Sequence, residues 1–112
     1  MGISTHILDT GTGVPAAGIP VTLEERRGGS WNPIGSGESD ADGRVRSLVP
    51  EGRELTPGTH RLRFDLLEYF ESRNRTPFFP TVEITFHVEQ PSQHYHVPLL
   101  LNAFGYTTYR GS

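Results

Sequence analysis

Val82-Glu83-Ile84-Thr85-Phe86-His87-Val88-Glu89 alternates apolar and polar residues without a break. Successive side chains of a β-strand point to opposite faces. Val82, Ile84, Phe86 and Val88 therefore share one face, and Glu83, Thr85, His87 and Glu89 the other. A strand with one face in a core and one in water belongs to an antiparallel sheet. The same alternation recurs upstream in His60-Arg61-Leu62-Arg63-Phe64-Asp65 and in Ile19-Pro20-Val21-Thr22-Leu23-Glu24. Further strands are expected at residues 3–8, 31–36, 44–48, 94–101 and 105–109. Asp42-Gly43 reads as a hairpin-type turn and Thr56-Pro57-Gly58 as another, since glycine accepts a positive φ without steric cost. About eight short strands so spaced make an all-β sandwich.

One segment departs from the period of two. Asp65-Leu66-Leu67-Glu68 has the spacing of a capping box, in which a side-chain oxygen and a Glu three residues on satisfy free amides at a helix start. Leu67 and Phe70 fall three apart, and Pro77 closes the stretch, so about two turns of helix are expected there.

The 112 residues suffice for one domain, spanning 1–112, with one hydrophobic core. There is no cysteine, hence no disulfide and no thiolate chemistry. The net charge of −3 is spread along the chain, and the absence of a basic stripe argues against a nucleic-acid partner. Met1-Gly2-Ile3-Ser4-Thr5-His6 carries neither a positive leader region nor a long apolar run. A chain that keeps away from membranes, in the cytoplasm, is the expectation.

The chemistry concentrates near the carboxy-terminal end, in His94-Tyr95-His96-Val97-Pro98-Leu99-Leu100-Leu101 and Tyr106-Thr107-Thr108-Tyr109-Arg110-Gly111-Ser112. In a strand His94 and His96 share one face, opposite Val97, Leu99 and Leu101. Two imidazoles so placed are candidate metal ligands, a general base with a partner, or two solvated residues. For a metal, His87, Asp40 and Asp42 could be added, but the strong zinc spacings are missing. Asp40-Ala41-Asp42-Gly43 lacks the later bidentate Glu of a calcium loop. Gly11-Thr12-Gly13 is a turn rather than a phosphate loop, and Asn74-Arg75-Thr76 fits the glycosylation acceptor pattern. Neither a metal nor a cofactor is expected.

The two carboxy-terminal segments together resemble the 5-hydroxyisourate hydrolases of the transthyretin-like family. His6-Ile7-Leu8-Asp9 with Gly13-Val14-Pro15-Ala16 is similar to the family's opening motif, Asp42-Gly43-Arg44 to its internal turn, and Phe78-Phe79-Pro80 to a further segment. Tyr109-Arg110-Gly111-Ser112 is the specific part, because the hormone-carrying transthyretins lack it. Asn102-Ala103 departs from the usual pattern, outside the site. The resemblance implies an all-β, transthyretin-like antiparallel β-sandwich of about eight short strands with one short helix. It implies hydrolysis of 5-hydroxyisourate, with His6, Arg44 and His96 in the catalytic site. Tyr109, Arg110, Gly111 and Ser112 would close the substrate pocket, and active sites would lie in the channel of a homotetramer. The alternative within the same fold is a carrier that binds a small aromatic ligand between subunits.

Overall fold

The computed structural model describes residues 2–112. Among them lie ten strands and one short helix: β1 Gly2–Asp9, β2 Val14–Pro15, β3 Pro20–Arg27, β4 Ser30–Glu38, β5 Arg44–Val45, β6 Gly58–Asp65, α1 Leu67–Glu71, β7 Thr81–Val88, β8 His94–His96, β9 Leu99–Asn102 and β10 Gly105–Thr108. They form two facing sheets, so the sandwich read from the sequence is the fold observed.

One sheet runs β4-β3-β6-β7, all antiparallel. Gly28 and Gly29 join β3 to β4 with φ of 56° and 82°. Two consecutive positive φ values make the tight turn whose twist suits a two-residue hairpin. Pro33 lies in β4, the edge strand, where the missing N–H breaks no inner ladder.

The other sheet is organised by β1. Along one edge β1 pairs antiparallel with β5 and β2; along the other it pairs parallel with β8 and then β9. β8 and β9 were expected as one strand, but Pro98 has no N–H and the ladder lapses between them. The register survives the gap. Val97 N donates to Ser4 O (2.9 Å), and Thr5 Oγ1 donates to Val97 O (2.6 Å) in place of a main-chain donor. β5 is shorter than the expected 44–48, although Leu48 N still reaches Ile3 O at 2.9 Å.

Ile3, Ile7, Leu99 and Leu101 from the β1 sheet meet Leu23, Leu62, Phe64 and Val82 from the other, all buried. Each such side chain contributes about 1.5–3 kcal/mol on leaving water. The helix differs from its sequence reading. Asp65 is the last residue of β6, opposite Thr81, and Leu66 takes the cap position without any side-chain cap. The buried face is Leu66, Tyr69 and Phe70, while Leu67 faces solvent. One turn and a half, held by packing, replaces the capped helix.

That helix is tied to β1 by a buried carboxylate. Asp9 is fully buried and accepts from Arg75 Nη1 (2.6 Å), Tyr69 Oη (2.8 Å) and Gly11 N (2.9 Å). Burial pushes its pKa up, but the bonds from Arg75, Tyr69 and Gly11 outweigh it and hold Asp9 below the usual carboxylate range. A depressed native pKa means stability that is present above about pH 4 and is lost as pH falls through the native value. Asp9→Asn, which strands the Arg75 charge, is expected to cost about 3 kcal/mol in urea unfolding at neutral pH. The variant should also lose less stability than the parent between about pH 5 and 3. Equal acid sensitivity in the two proteins would contradict this account.

Candidate active site

The outer face of β1 carries Ser4 and His6, because Ile3, Thr5 and Ile7 take the core face. Register partners in a sheet share a face, with Cβ atoms about 4.5–5.5 Å apart. His6 is opposite Arg44 on β5, and Ser4 is opposite His96 on β8. Residues far apart in the chain are thus set side by side by main-chain pairing alone.

Two loops present Arg44 and the tail. Asp40 Oδ1 accepts from the main-chain N–H groups of Asp42 and Arg44, both at 2.9 Å. The Arg44 N–H is the main reason that Asp40 lies below the usual carboxylate range. Asp40 therefore shapes the turn before β5 instead of forming part of a calcium loop. Gly43, with φ of 78°, leaves room that a Cβ would not: it would stand 2.3 Å from Ile7 O. The turn does not close a hairpin; it carries the chain from β4 in one sheet to β5 in the other. His6 Nε2 is hydrogen-bonded to Asp42 O across this turn at 2.9 Å.

On the far side of β8, Gly111 forms an antiparallel bridge with His96, its N–H donating to His96 O at 2.8 Å. A Cβ on Gly111 would come within 2.6 Å of Cδ2 of His96. Only glycine lets the tail lie against the imidazole.

A cleft of about 260 Å³ results, lined by Ser4, Thr5, Arg44, Arg46, His94, His96 and Ser112. Among these lining residues there is no acidic side chain. Of the residues singled out in the sequence, Arg44, His96 and Ser112 line this cleft, with His6 beside Arg44 and Gly111 beneath His96. Tyr109 and Arg110 line an adjoining hollow of about 270 Å³ on the other side of His96, with Phe86 and Tyr95. Arg110 lies over the Tyr95 ring (4.7 Å) and donates to Gln93 Oε1 (3.2 Å). Ser4 and Arg46 were not read as site residues, and His94, a candidate alongside His96, was left out of the catalytic set that the resemblance implies. Ser4 looks like an ordinary strand serine until the parallel register with residue 96 is known. Among the described residues no group of three or more His, Cys, Asp and Glu side chains is arranged to hold a metal ion.

His96 is the electrostatic centre of the cleft. Burial lowers its pKa most, and the nearby Arg44, His94 and His6 lower it further. It is accordingly neutral at pH 7, with Nδ1 2.8 Å from Ser4 Oγ. Among the described residues no protein group is hydrogen-bonded to its Nε2. A neutral imidazole with one nitrogen anchored and the other open is equipped to accept a proton from water. Arg44 and Arg46 supply planar donors for carbonyl oxygens and developing negative charge.

A sequence model described as the HIUase/Transthyretin family matches residues 3–111. The chain belongs to that family. Within the HIUase/Transthyretin family, a 5-hydroxyisourate hydrolase of Salmonella typhimurium is 46% identical over 110 residues, covering 98% of this chain and 80% of that protein. The solved structure of Klebsiella pneumoniae 5-hydroxyisourate hydrolase superposes with a TM-score of 0.85 at 30% identity, covering 100% of both chains. Transthyretin from Sparus aurata superposes with a TM-score of 0.89 at 31% identity, covering 97% of this chain and 95% of that one. The fold is shared by both branches of the family, so the cleft has to separate them.

The His96 ring is expected to titrate, by NMR, below the value of about 6.5 for a free histidine. Arg44→Ala should raise the midpoint while leaving it below the ordinary value, because burial, the larger cause, remains. A midpoint that ignores Arg44 would show that the two side chains do not share a cleft.

Proposed function

We propose that this chain hydrolyses 5-hydroxyisourate, opening its six-membered cyclic amide to give 2-oxo-4-hydroxy-4-carboxy-5-ureidoimidazoline. The observation that carries the reading is the neutral His96, anchored at Nδ1 and open at Nε2, in a cleft whose charged side chains are cationic. The relatives that carry the hydrolase name are similar over nearly the whole chain.

Water bound in the cleft gives a proton to an imidazole as its oxygen attacks the ring carbonyl. His96 is the group best prepared for that step; His6, beside Arg44, shares the proton transfers. The oxyanion that forms is met by Arg44, with Arg46 adding positive potential. Ser112 walls the cleft, Gly111 lies against His96, and Arg110 fastens the tail through Tyr95 and Gln93, with Tyr109 beside it. None of these steps calls for a cofactor.

A carrier of a small aromatic ligand is the second reading, favoured by the likeness to transthyretin. Carrier pockets are mostly apolar with a few convergent polar groups. A cleft lined by two arginines and two histidines is poorly suited to that task.

The homotetramer also belongs to this proposal. β7 and β10 are free sheet edges. Beside β10, Phe79 stacks edge-to-face on Phe78 (4.9 Å) and Tyr106 (5.5 Å), and Phe78 is 69% exposed. An apolar flank of this kind calls for a protein partner. A cytoplasmic location fits the chemistry; among the described residues no helix is long and apolar enough to cross a membrane.

The deciding assay follows the ultraviolet decay of freshly generated 5-hydroxyisourate with and without the protein. His96→Ala and His6→Ala should each lower turnover by roughly a hundredfold or more. Turnover should fall on the acid side as His96 becomes protonated, below the ordinary histidine range. Gly111→Ala, which pushes the tail off His96, should reduce turnover with little change in melting temperature. A folded protein that leaves the decay unchanged would move the reading to the carrier. Light scattering should give four copies per particle, and fewer for Phe78→Arg.

A further inference from the structure

The hydrolytic reading uses His96 and leaves Ser4 and His94 without a task. The Ser4 hydroxyl lies 2.7 Å from Nε2 of His94 and 2.8 Å from Nδ1 of His96. A serine hydroxyl has one proton to give and two lone pairs to offer. It cannot donate to both rings; it donates to one and accepts from the other, or accepts from both and donates elsewhere. Two arrangements keep the hydroxyl proton between the rings. In the first, Nδ1–H of His96 donates to Ser4 and Ser4 donates to Nε2 of His94. In the second, Nε2–H of His94 donates to Ser4 and Ser4 donates to Nδ1 of His96. They differ only in the positions of two protons.

We infer that His96, Ser4 and His94 form a proton relay through which His94 holds the charge generated by hydrolysis. The inference rests on the hydrolase reading above. In the resting state, the first arrangement, His96 carries its proton on Nδ1 and has a lone pair on Nε2. Water attacks the ring carbonyl, forming the C–O bond as the carbonyl π pair moves onto oxygen. One water proton passes to Nε2 of His96, the Nδ1 proton passes to Ser4 Oγ, and the Ser4 hydroxyl proton passes to Nε2 of His94. His96 is neutral before and after, and His94 has become the imidazolium. When the tetrahedral adduct collapses, the C–N bond breaks and its electron pair goes to the ring nitrogen. The relay then runs backwards. Nε2 of His96 protonates the departing nitrogen, Ser4 returns a proton to Nδ1, and His94 gives up its extra proton. The net transfer is one proton from water to nitrogen, and all three side chains return to their starting state.

Two features make His94 the better holder of charge. His94 is exposed to water, which solvates a cation, whereas His96 is only partly exposed. The arginines near the pair are Arg44 on β5 and Arg46 just beyond it, and burial together with Arg44, His94 and His6 disfavours an imidazolium at His96. The relay is held by main-chain pairing, because Gly2 and Ser4 of β1 are in register with His94 and His96. Ser4 and His94 are positioning residues here, acting on the reaction through His96.

The test compares Ser4→Ala, Ser4→Thr, His94→Ala and the double variant Ser4→Ala/His94→Ala on 5-hydroxyisourate. Ser4→Ala should lower kcat about tenfold or more, with KM within about a factor of two, since proton transfer and not binding is impaired. Ser4→Thr, which keeps the hydroxyl, should recover most of the loss. The double variant should be no slower than the worse single variant, as expected for groups acting in one chain. A parent protein without activity overturns the hydrolase reading itself. An active parent whose kcat is unaffected by Ser4→Ala, or single losses that multiply in the double variant, overturns the relay alone. Nitrogen-15 spectra of the parent protein test the resting state without any turnover or substitution. A proton on Nδ1 of His96 with Nε2 of His94 unprotonated at neutral pH supports the relay, and a proton on Nε2 of either ring overturns it.

Discussion

Strand β1 is hydrogen-bonded along both edges, and the rest of the structure depends on that double pairing. Its partners are short, and two of them build the cleft: β5 brings Arg44 and β8 brings His94 and His96, while the tail bridges to β8 through Gly111. A slip of one residue in any of these pairings would turn the functional side chains into the core. The apolar residues at positions 3 and 7 of the inner face prevent it, so the same burial that stabilises the sandwich also aims the site. Asp9 anchors the other end of β1 to the helix, which keeps the strand from sliding.

The cleft sets two arginines beside two histidines, with no acidic side chain in its lining. That is tolerable because His96 is neutral and because the cleft opens to water on the outer sheet face. The other sheet manages its outer face differently. Glu24 and Arg61 are paired across strands at 2.8 Å, and Arg61 covers Trp31 at 4.3 Å. One face is thus neutralised pair by pair, while the other is left with an unbalanced positive potential suited to polarised carbonyl groups.

Much of this was legible in the sequence. The alternation in β6 and β7 gave those strands almost to the residue. The family likeness named His6, Arg44, His96 and the tail as a set. What escaped notice depends on pairings between distant segments. β2 has two residues, a single repeat of the alternation that identifies strands, and β5 has two of the five expected. The capping-box reading of Asp65 failed because β6 claims that residue for its ladder with Thr81. The run 94–101 was read as one strand although Pro98 interrupts it. Ser4 gains its meaning only from the parallel register of β1 with β8, and Arg46 from the pairing of β1 with β5, which no local pattern reveals.

The parallel pairing of β1 with β8 and β9 has a further consequence, for how the chain reaches its native state. β1 is made before its partners on the ribosome, and those on one edge lie about ninety positions later. Contacts of such high sequence separation slow folding, because loop-closure entropy is met before the pairing stabilises anything. The β3–β4–β6–β7 sheet is built from neighbours and can assemble while β1 still waits with one edge exposed. Such an edge is a template for pairing with other chains. The cleft is therefore the last part to form, and an interval of vulnerability to aggregation during synthesis is inherent in this topology.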